Sequence, residues 1–571
     1  MFPKIHLRTN TGGVLATLLA GGLATACGRG SPSANASAHD EASAIQSLGL
    51  PRAVNSTPVL AASGRWVVAV WTAADHERTN IHAATSADEA RRFGAPVRVN
   101  DVDSEAHVYG EDPPRVAIAP TTGSESTAPP TIIVTWPSNR GKHLGLRSAR
   151  SLDGGRTFLP STSIGDEAIA GERGFQSVTV GVDRVARAAW LDGRRDPGTP
   201  PHTNAGGDYD PMHLMFAAAN ADGRWNTETR LATNVCGCCK TAIATGRDGW
   251  IYVAFRNIYP GSLRDISFTV SHDGGRTFSP PGRVSEDHWM LDGCPDDGPT
   301  MALDHDGVVH VVWPTLVQGA QPAIELFHAS TRDGVTFTPR QRIETLGTPK
   351  PSHPQLTADA CGALTLVWDE TQGSTRRAMM RQLVSLPSGE VRAGELHVIS
   401  GSHSAVYPVV APTSNGLVAA WTDIDRSNGD RSDIALRPIS LDATCEVPPD
   451  AASRMSIATK AIDGPAPTQR YTLRGRVVSL DRAGRSVTVD AEAIPGFMGA
   501  MMMSYPVKNE RLLGHVSPSD HIDATIVRVV DEYWLEDVKT SKGKGQCSPN
   551  SFSACLPRLP LARPACPTRP F

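Results

Sequence analysis

Ser151-Leu-Asp-Gly-Gly-Arg-Thr-Phe158 and Ser271-His-Asp-Gly-Gly-Arg-Thr-Phe278 are one eight-residue phrase with a single exchange. Its chemistry is that of a hairpin. The aspartate accepts backbone N–H bonds inside the turn, the glycines take positive φ, and the closing aromatic packs between strands. Ser151, Asp153, Gly155 and Phe158, and likewise Ser271, Asp273, Gly275 and Phe278, are therefore assigned to turns. Thr331-Arg-Asp-Gly-Val-Thr-Phe337 is a shorter copy, and Ser86 to Phe93 and Asn220 to Trp225 are degenerate ones.

Around these turns an apolar strand, a polar turn and a second strand ending in an aromatic recur seven times. The second strands end at Trp71, Trp136, Trp190, Phe255, Trp313, Trp368 and Trp421, about 53 to 65 residues apart. That spacing suits four antiparallel strands plus loops, the size of a propeller blade. The turn phrase resembles the Asp box, or BNR repeat, of sialidases, which implies an all-β propeller over 45–441. Sialidases have six blades. Seven units are counted here, with six as the alternative. Leu48-Gly-Leu-Pro-Arg-Ala-Val54 is expected to supply the outer strand of the final blade, closing the ring around Ala435 to Ser440 and removing a free edge. The resemblance places the Asp boxes on the blade periphery, so they indicate fold and not chemistry.

Ile494-Pro-Gly-Phe-Met-Gly-Ala-Met-Met-Met503 holds four of the 12 methionines. Thioether sulfur is soft and selects Cu(I) over hard cations. In a strand, Met501 and Met503 share one face and Met502 takes the other. The competing reading is that methionine fills irregular cores. Together with Tyr471 to Val477, Val487 to Val489 and Tyr533 to Val538, the stretch resembles the small periplasmic copper-binding domain typified by the copper chaperone of silver/copper efflux systems. That resemblance implies a five-stranded barrel of oligonucleotide/oligosaccharide-binding type over 471–538. It implies Cu(I) or Ag(I) bound by a His and a Met-x-Met pair under a Trp. Met501 and Met503 match the pair, the His position holds Ala491, and Met498 stands at or near the Trp position. A three-Met copper site of Met498, Met501 and Met503 is expected.

Lys4 and Arg8 precede an apolar segment, Gly12 to Gly22, too short to span a bilayer. Leu23-Ala-Thr-Ala-Cys27 resembles a bacterial lipobox, which implies cleavage before Cys27, lipidation of that residue and, with Gly28 following, the outer membrane. Residues 1–27 are read as signal peptide and lipobox, 28–44 as a tether, 442–470 as a linker, and 539–571 as a disordered tail. The anchor is the expected membrane contact. The net charge of −4, without a basic stripe, excludes nucleic acid as a partner.

Cys236-Gly-Cys-Cys239 and Cys294 precede the first strands of units four and five, and His107, His353 and His403 hold similar places. Two readings stay open for Cys236, Cys238, Cys239 and Cys294. They form disulfides, for instance Cys238 or Cys239 with Cys294, or they hold a soft metal. Catalytic residues are not assigned. Arg194, Arg195, Arg256, Arg264, Tyr259 and Tyr407 are available near the channel, but no spacing gives any of them a role. The expected function is an exported copper-binding lipoprotein on the periplasmic face of the envelope. Its propeller serves as a platform for a copper-handling partner or a second metal. The alternative is an exo-acting glycosidase of sialidase type.

Overall fold

The computed structural model describes residues 45–440 and 468–541, apart from 76–77, 121–127, 196–211, 221, 292–294, 296, 319–321, 349, 360, 415, 429–430, 483–484, 493, 495–500, 508 and 530–531. The chain divides into two compact units, 1–447 and 448–571. Cys27, the tether, most of the linker, Cys294, Met498 and the tail beyond 541 lie outside the described residues. No helix among the described residues is long and apolar enough to cross a membrane.

The first unit is built of seven four-stranded antiparallel sheets. Their first strands are Val54–Ser63, Arg115–Ile118, Arg173–Val180, Ala242–Thr245, Thr300–Leu303, Ser352–Ala358 and Ser404–Thr413. Each packs beside the first strands of the blades before and after it, and the seventh packs on the first, so the ring closes. The second strands are sandwiched between neighbouring blades and are mostly apolar, with Arg187, His310 and Thr365 buried among the apolar residues. Trp71, Trp136, Trp190, Phe255, Trp313, Trp368 and Trp421 are all 0% exposed. Burying a side chain of this size stabilises by roughly 1.5–3 kcal/mol, repeated in every blade.

Seven is thus the blade number. The seventh sheet takes its outer strand from the start of the chain, with Gln46 opposite Leu436, Ser47 opposite Ala435 and Leu48 opposite Ile434. The closing strand lies slightly earlier than the sequence placed it. The reason is Asn55, fully buried, whose side chain folds residues 50–53 into a turn. Its Oδ1 accepts from the Leu50 N–H at 2.9 Å, and its Nδ2 donates to the Leu50 carbonyl at 3.1 Å and to Asp433 Oδ1 at 3.2 Å. Residues 49–53 are therefore turn and not strand.

The two Asp-box phrases close their hairpins through the aspartate and serine side chains. Asp153 Oδ1 accepts from the N–H groups of Arg156 and Thr157, both at 3.0 Å, and Oδ2 from the Thr157 hydroxyl at 2.6 Å. The Ser151 hydroxyl donates to Asp153 and accepts from the Gly155 N–H. Asp273 repeats the pattern with Arg276 and Thr277. Partial burial works against ionisation of Asp153, but these hydrogen bonds outweigh it and hold its carboxyl at about 2.

The second unit is a five-stranded sheet in the order Met501–Pro506, Ser486–Ala491, Thr468–Asp481, His521–Val529, Glu532–Ser541. A parallel bridge between Val507 and Leu535 joins its two edges into a small barrel. Leu473, Val487, Val489, Tyr505, Ile526 and Leu535 form the core. The barrel extends beyond 471–538 at both ends. Thr468 to Arg470 pair with Val529 to Val527, and Lys539 to Ser541 pair with Asp523 to His521. Ladder hydrogen bonds hold both ends although their side chains carry no apolar signal.

Candidate functional site

Four first strands carry the same irregularity. Thr57, Phe175, His353 and Tyr407 have φ of 52°, 53°, 55° and 53°, each at a register shift in its ladder. A β-bulge of this kind re-aims a side chain and frees a backbone N–H. Each freed N–H reaches the preceding blade. Thr57 donates to Thr422 Oγ1 at 2.9 Å, Phe175 to Asp112 Oδ1 at 2.8 Å, His353 to Asp297 Oδ2 at 2.6 Å, and Tyr407 to Asp369 Oδ2 at 3.0 Å. These bonds staple adjacent blades where the strained conformation is stored.

The bulge brings His353 into a charged cluster. Its Nδ1 lies 2.5 Å from Asp369 Oδ2, and its Nε2 lies 3.0 Å from Glu111 Oε1. The Tyr407 ring packs against it, tilted by 42°, with centroids 4.2 Å apart. Arg376 pairs with the other oxygen of Asp369. Burial disfavours the imidazolium, but the Asp369 charge and the hydrogen bonds that the ring donates to both carboxylates override it and raise the pKa to about 9. The group is a held cation at neutral pH and not a free base. Burial, followed by the Glu111 and Asp369 charges, keeps the Tyr407 phenol protonated.

The other expected residues are placed as follows. His107 is exposed and held by its backbone N–H on the Pro137 carbonyl. His403 pairs with Asp423 in its own blade at 2.6 Å. Arg194 pairs with Asp192 and Glu228, both at 2.6 Å. Arg195 follows it in the same loop. Arg256, fully buried, donates to the carbonyls of Arg264, Asp297 and Pro314. Tyr259 bonds Ser267 at 2.6 Å beneath the Arg283 guanidinium. Each paired arginine thus has an intramolecular partner. The sequence reading missed Glu111, Asp297 and Asp369. A usable signal was the repeated proline after the bulge residue, in Thr57-Pro58, His353-Pro354 and Tyr407-Pro408.

The cysteine loop is clamped at both ends. Cys236 N–H donates to the Arg256 carbonyl at 2.9 Å, and Thr241 N–H to the Phe175 carbonyl at 3.2 Å. Lys240 Nζ donates to the Pro354 carbonyl at 3.0 Å and pairs with Asp297 at 3.3 Å, so the loop adjoins the start of blade six. The three sulfurs lie within 4.8 Å of one another. Cys238 is disulfide-bonded, whereas Cys236 and Cys239 are buried free thiols. The disulfide reading offers Cys238 or Cys239, and the bridge is at Cys238. Cys239 is not bridged, and Cys238 is withdrawn as a thiolate ligand. The S–H of Cys239 donates to Cys236 Sγ at 3.3 Å, and Arg264 Nη1 donates to the same sulfur at 3.5 Å. The Cys239 hydrogen bond, against burial and with help from the arginines, lowers Cys236 to about 6. Burial and the neighbouring thiolate raise Cys239.

On the barrel, Met501 pairs with Ala491, Met502 with Asp490 and Met503 with Val489. Ala491 and Val489 are buried on one face, at 4% and 0% exposed. The strand predicted for the methionines is therefore formed. The position where the resemblance calls for histidine lies directly across from the first residue of the Met-x-Met pair.

Residues 470–540 match the family described as Copper binding periplasmic protein CusF. The sequence finds no match among curated proteins. Among solved structures the chain is similar to an ulvan lyase of a polysaccharide lyase family, at 9% identity over 69% of this chain and 96% of that one, with a TM-score of 0.44. It is similar to the intramolecular trans-sialidase from Ruminococcus gnavus, at 11% identity over 70% and 97%, with a TM-score of 0.38. It is also similar to the leech intramolecular trans-sialidase, at 11% identity over 66% and 83%, with a TM-score of 0.38. The propeller assignment itself rests on the strand pairing above.

Proposed function

We propose that this chain is an exported copper-handling lipoprotein. It is anchored through Cys27 to the periplasmic face of the outer membrane and binds Cu(I) or Ag(I) through Met501 and Met503, with Met498 as third ligand. The propeller is the platform on which a copper-handling partner or a second metal sits. The observation that carries the reading is the register of the methionine strand. Met501 stands opposite Ala491 within a five-stranded barrel, in a segment that matches a copper-binding family. Thioethers need no proton loss to bind metal, and they favour soft monovalent ions. Ala491 offers no imidazole, so affinity is set by sulfur alone.

The test is the copper content of the full chain purified from copper-supplied cells, beside a chain ending at Asp442. The full chain retains more copper per molecule. Equal content in the two chains contradicts the assignment.

A further inference from the structure

We propose that Cys236 and Cys239 form a second soft-metal site, a buried bis-thiolate in the propeller that takes one Cu(I) or Ag(I) ion. The inference rests on the copper-handling reading and assigns the propeller its own ligands. Four observations carry it. Both residues are free thiols, 1% and 2% exposed, with their sulfurs 3.3 Å apart. The intervening Cys238 is bridged, which leaves Cys236 and Cys239 as the thiol pair of this loop. The loop is fixed by Arg256 and Phe175 carbonyls and by the Lys240 contacts with Pro354 and Asp297, which preorganises the ligands. The Arg264 guanidinium donates to Cys236 Sγ.

The charge and coordination chemistry select the ion. Two thiolates and one monovalent cation leave a single negative charge, which the Arg264 guanidinium offsets in a buried setting. Structural Zn(II) requires four ligands. Among the described residues the only cluster here is Cys236, Cys238 and Cys239, and the disulfide removes Cys238. Two soft anionic donors suit Cu(I) or Ag(I). On binding, each sulfur gains a metal–sulfur bond and any thiol proton leaves to solvent. No electron is transferred.

The test is an anaerobic silver titration of the full chain without added reductant, against a competing soft chelator. It reads retained silver and ultraviolet thiolate-to-metal absorption. The wild type retains two ions. Cys236→Ser with Cys239→Ser loses one ion and the absorption. Met501→Leu with Met503→Leu loses one ion and keeps the absorption. If the cysteine variant keeps both ions and the absorption, the propeller site is refuted while the methionine reading stands. If the methionine variant keeps both ions, the barrel reading fails independently. A wild-type measurement guards against misfolded variants. Bound silver protects Cys236 and Cys239 from alkylation, as mapped by peptide mass spectrometry. Their alkylation at the silver-free rate, or a Cys236–Cys239 disulfide in the protein as purified, overturns the proposal.

Discussion

His353 and Glu111 are 242 positions apart in sequence, yet His353 Nε2 lies 3.0 Å from Glu111 Oε1. The contact joins the start of blade six to the start of blade two across the mouth of the ring. The folded pKa of His353, about 9, stands above the unfolded value near 6.5. Its stabilisation is therefore complete below about pH 6.5 and is lost as pH rises through about 9. His353→Gln is expected to cost roughly 2–3 kcal/mol at pH 6 and much less at pH 10. Urea unfolding of both proteins at the two pH values checks this, and an equal cost at both contradicts it.

Asn55 ties the closing strand to blade one and also accepts from Trp71 Nε1 at 3.1 Å. Asn55→Ala leaves that buried indole N–H and the Leu50 turn without partners. A loss of about 2–4 kcal/mol follows, with faster proteolysis near residues 45–53. Thermal unfolding indistinguishable from wild type refutes the role of this clamp.

In the Asp boxes, Gly155 and Gly275 have φ of 88° and 96°. A Cβ at Gly155 would collide with Thr85 Oγ1, and one at Gly275 would lie 2.7 Å from the Phe216 ring. Alanine at either position is expected to destabilise by roughly 1–3 kcal/mol. Gly282, which has nothing within 4 Å of such a Cβ and no positive φ, should tolerate alanine with a change below about 0.5 kcal/mol. Denaturant midpoints of the three variants decide.

The ring was legible because each blade repeats its own signals. Tryptophan at the end of the second strand and aspartate in the outer turn depend on local chemistry, which survives in a single copy of the motif. The mouth was not legible. Glu111, Asp297, His353 and Asp369 come from three blades, and nothing local in sequence links them. The bulges that aim His353 and Tyr407 also break the two-residue period on which a strand reading depends. The split fate of the cysteines was equally hidden, since identical thiols differ only in what the fold brings beside them. The barrel ends were set three residues short on each side because their side chains are polar while their backbones pair.

The proposed lipid anchor at Cys27 is tested separately. Cys27→Ser is expected to abolish fatty-acid labelling and release the protein from membranes. A wild type that takes up no labelled fatty acid contradicts the anchor.

Ala491 stands opposite Met501, so Ala491→His places an imidazole on the residue paired with the first of the two proposed methionine ligands. Affinity for Cu(I) is expected to rise roughly tenfold, about 1.4 kcal/mol, and to fall in acid as the imidazole protonates. The parent barrel should show no such fall from about pH 5 to 8, because thioethers do not titrate. An unchanged affinity in the variant argues that the copper ligands lie elsewhere.

The most direct measurement is Cu(I) competition against a chromophoric chelator in the full chain carrying Cys236→Ser and Cys239→Ser, with and without Met501→Leu and Met503→Leu. One Cu(I) is expected to bind with the methionines present, and at least a hundredfold more weakly without them, about 2.7 kcal/mol. Equal affinity in the two proteins would show that the methionines are core filler and would contradict the copper assignment.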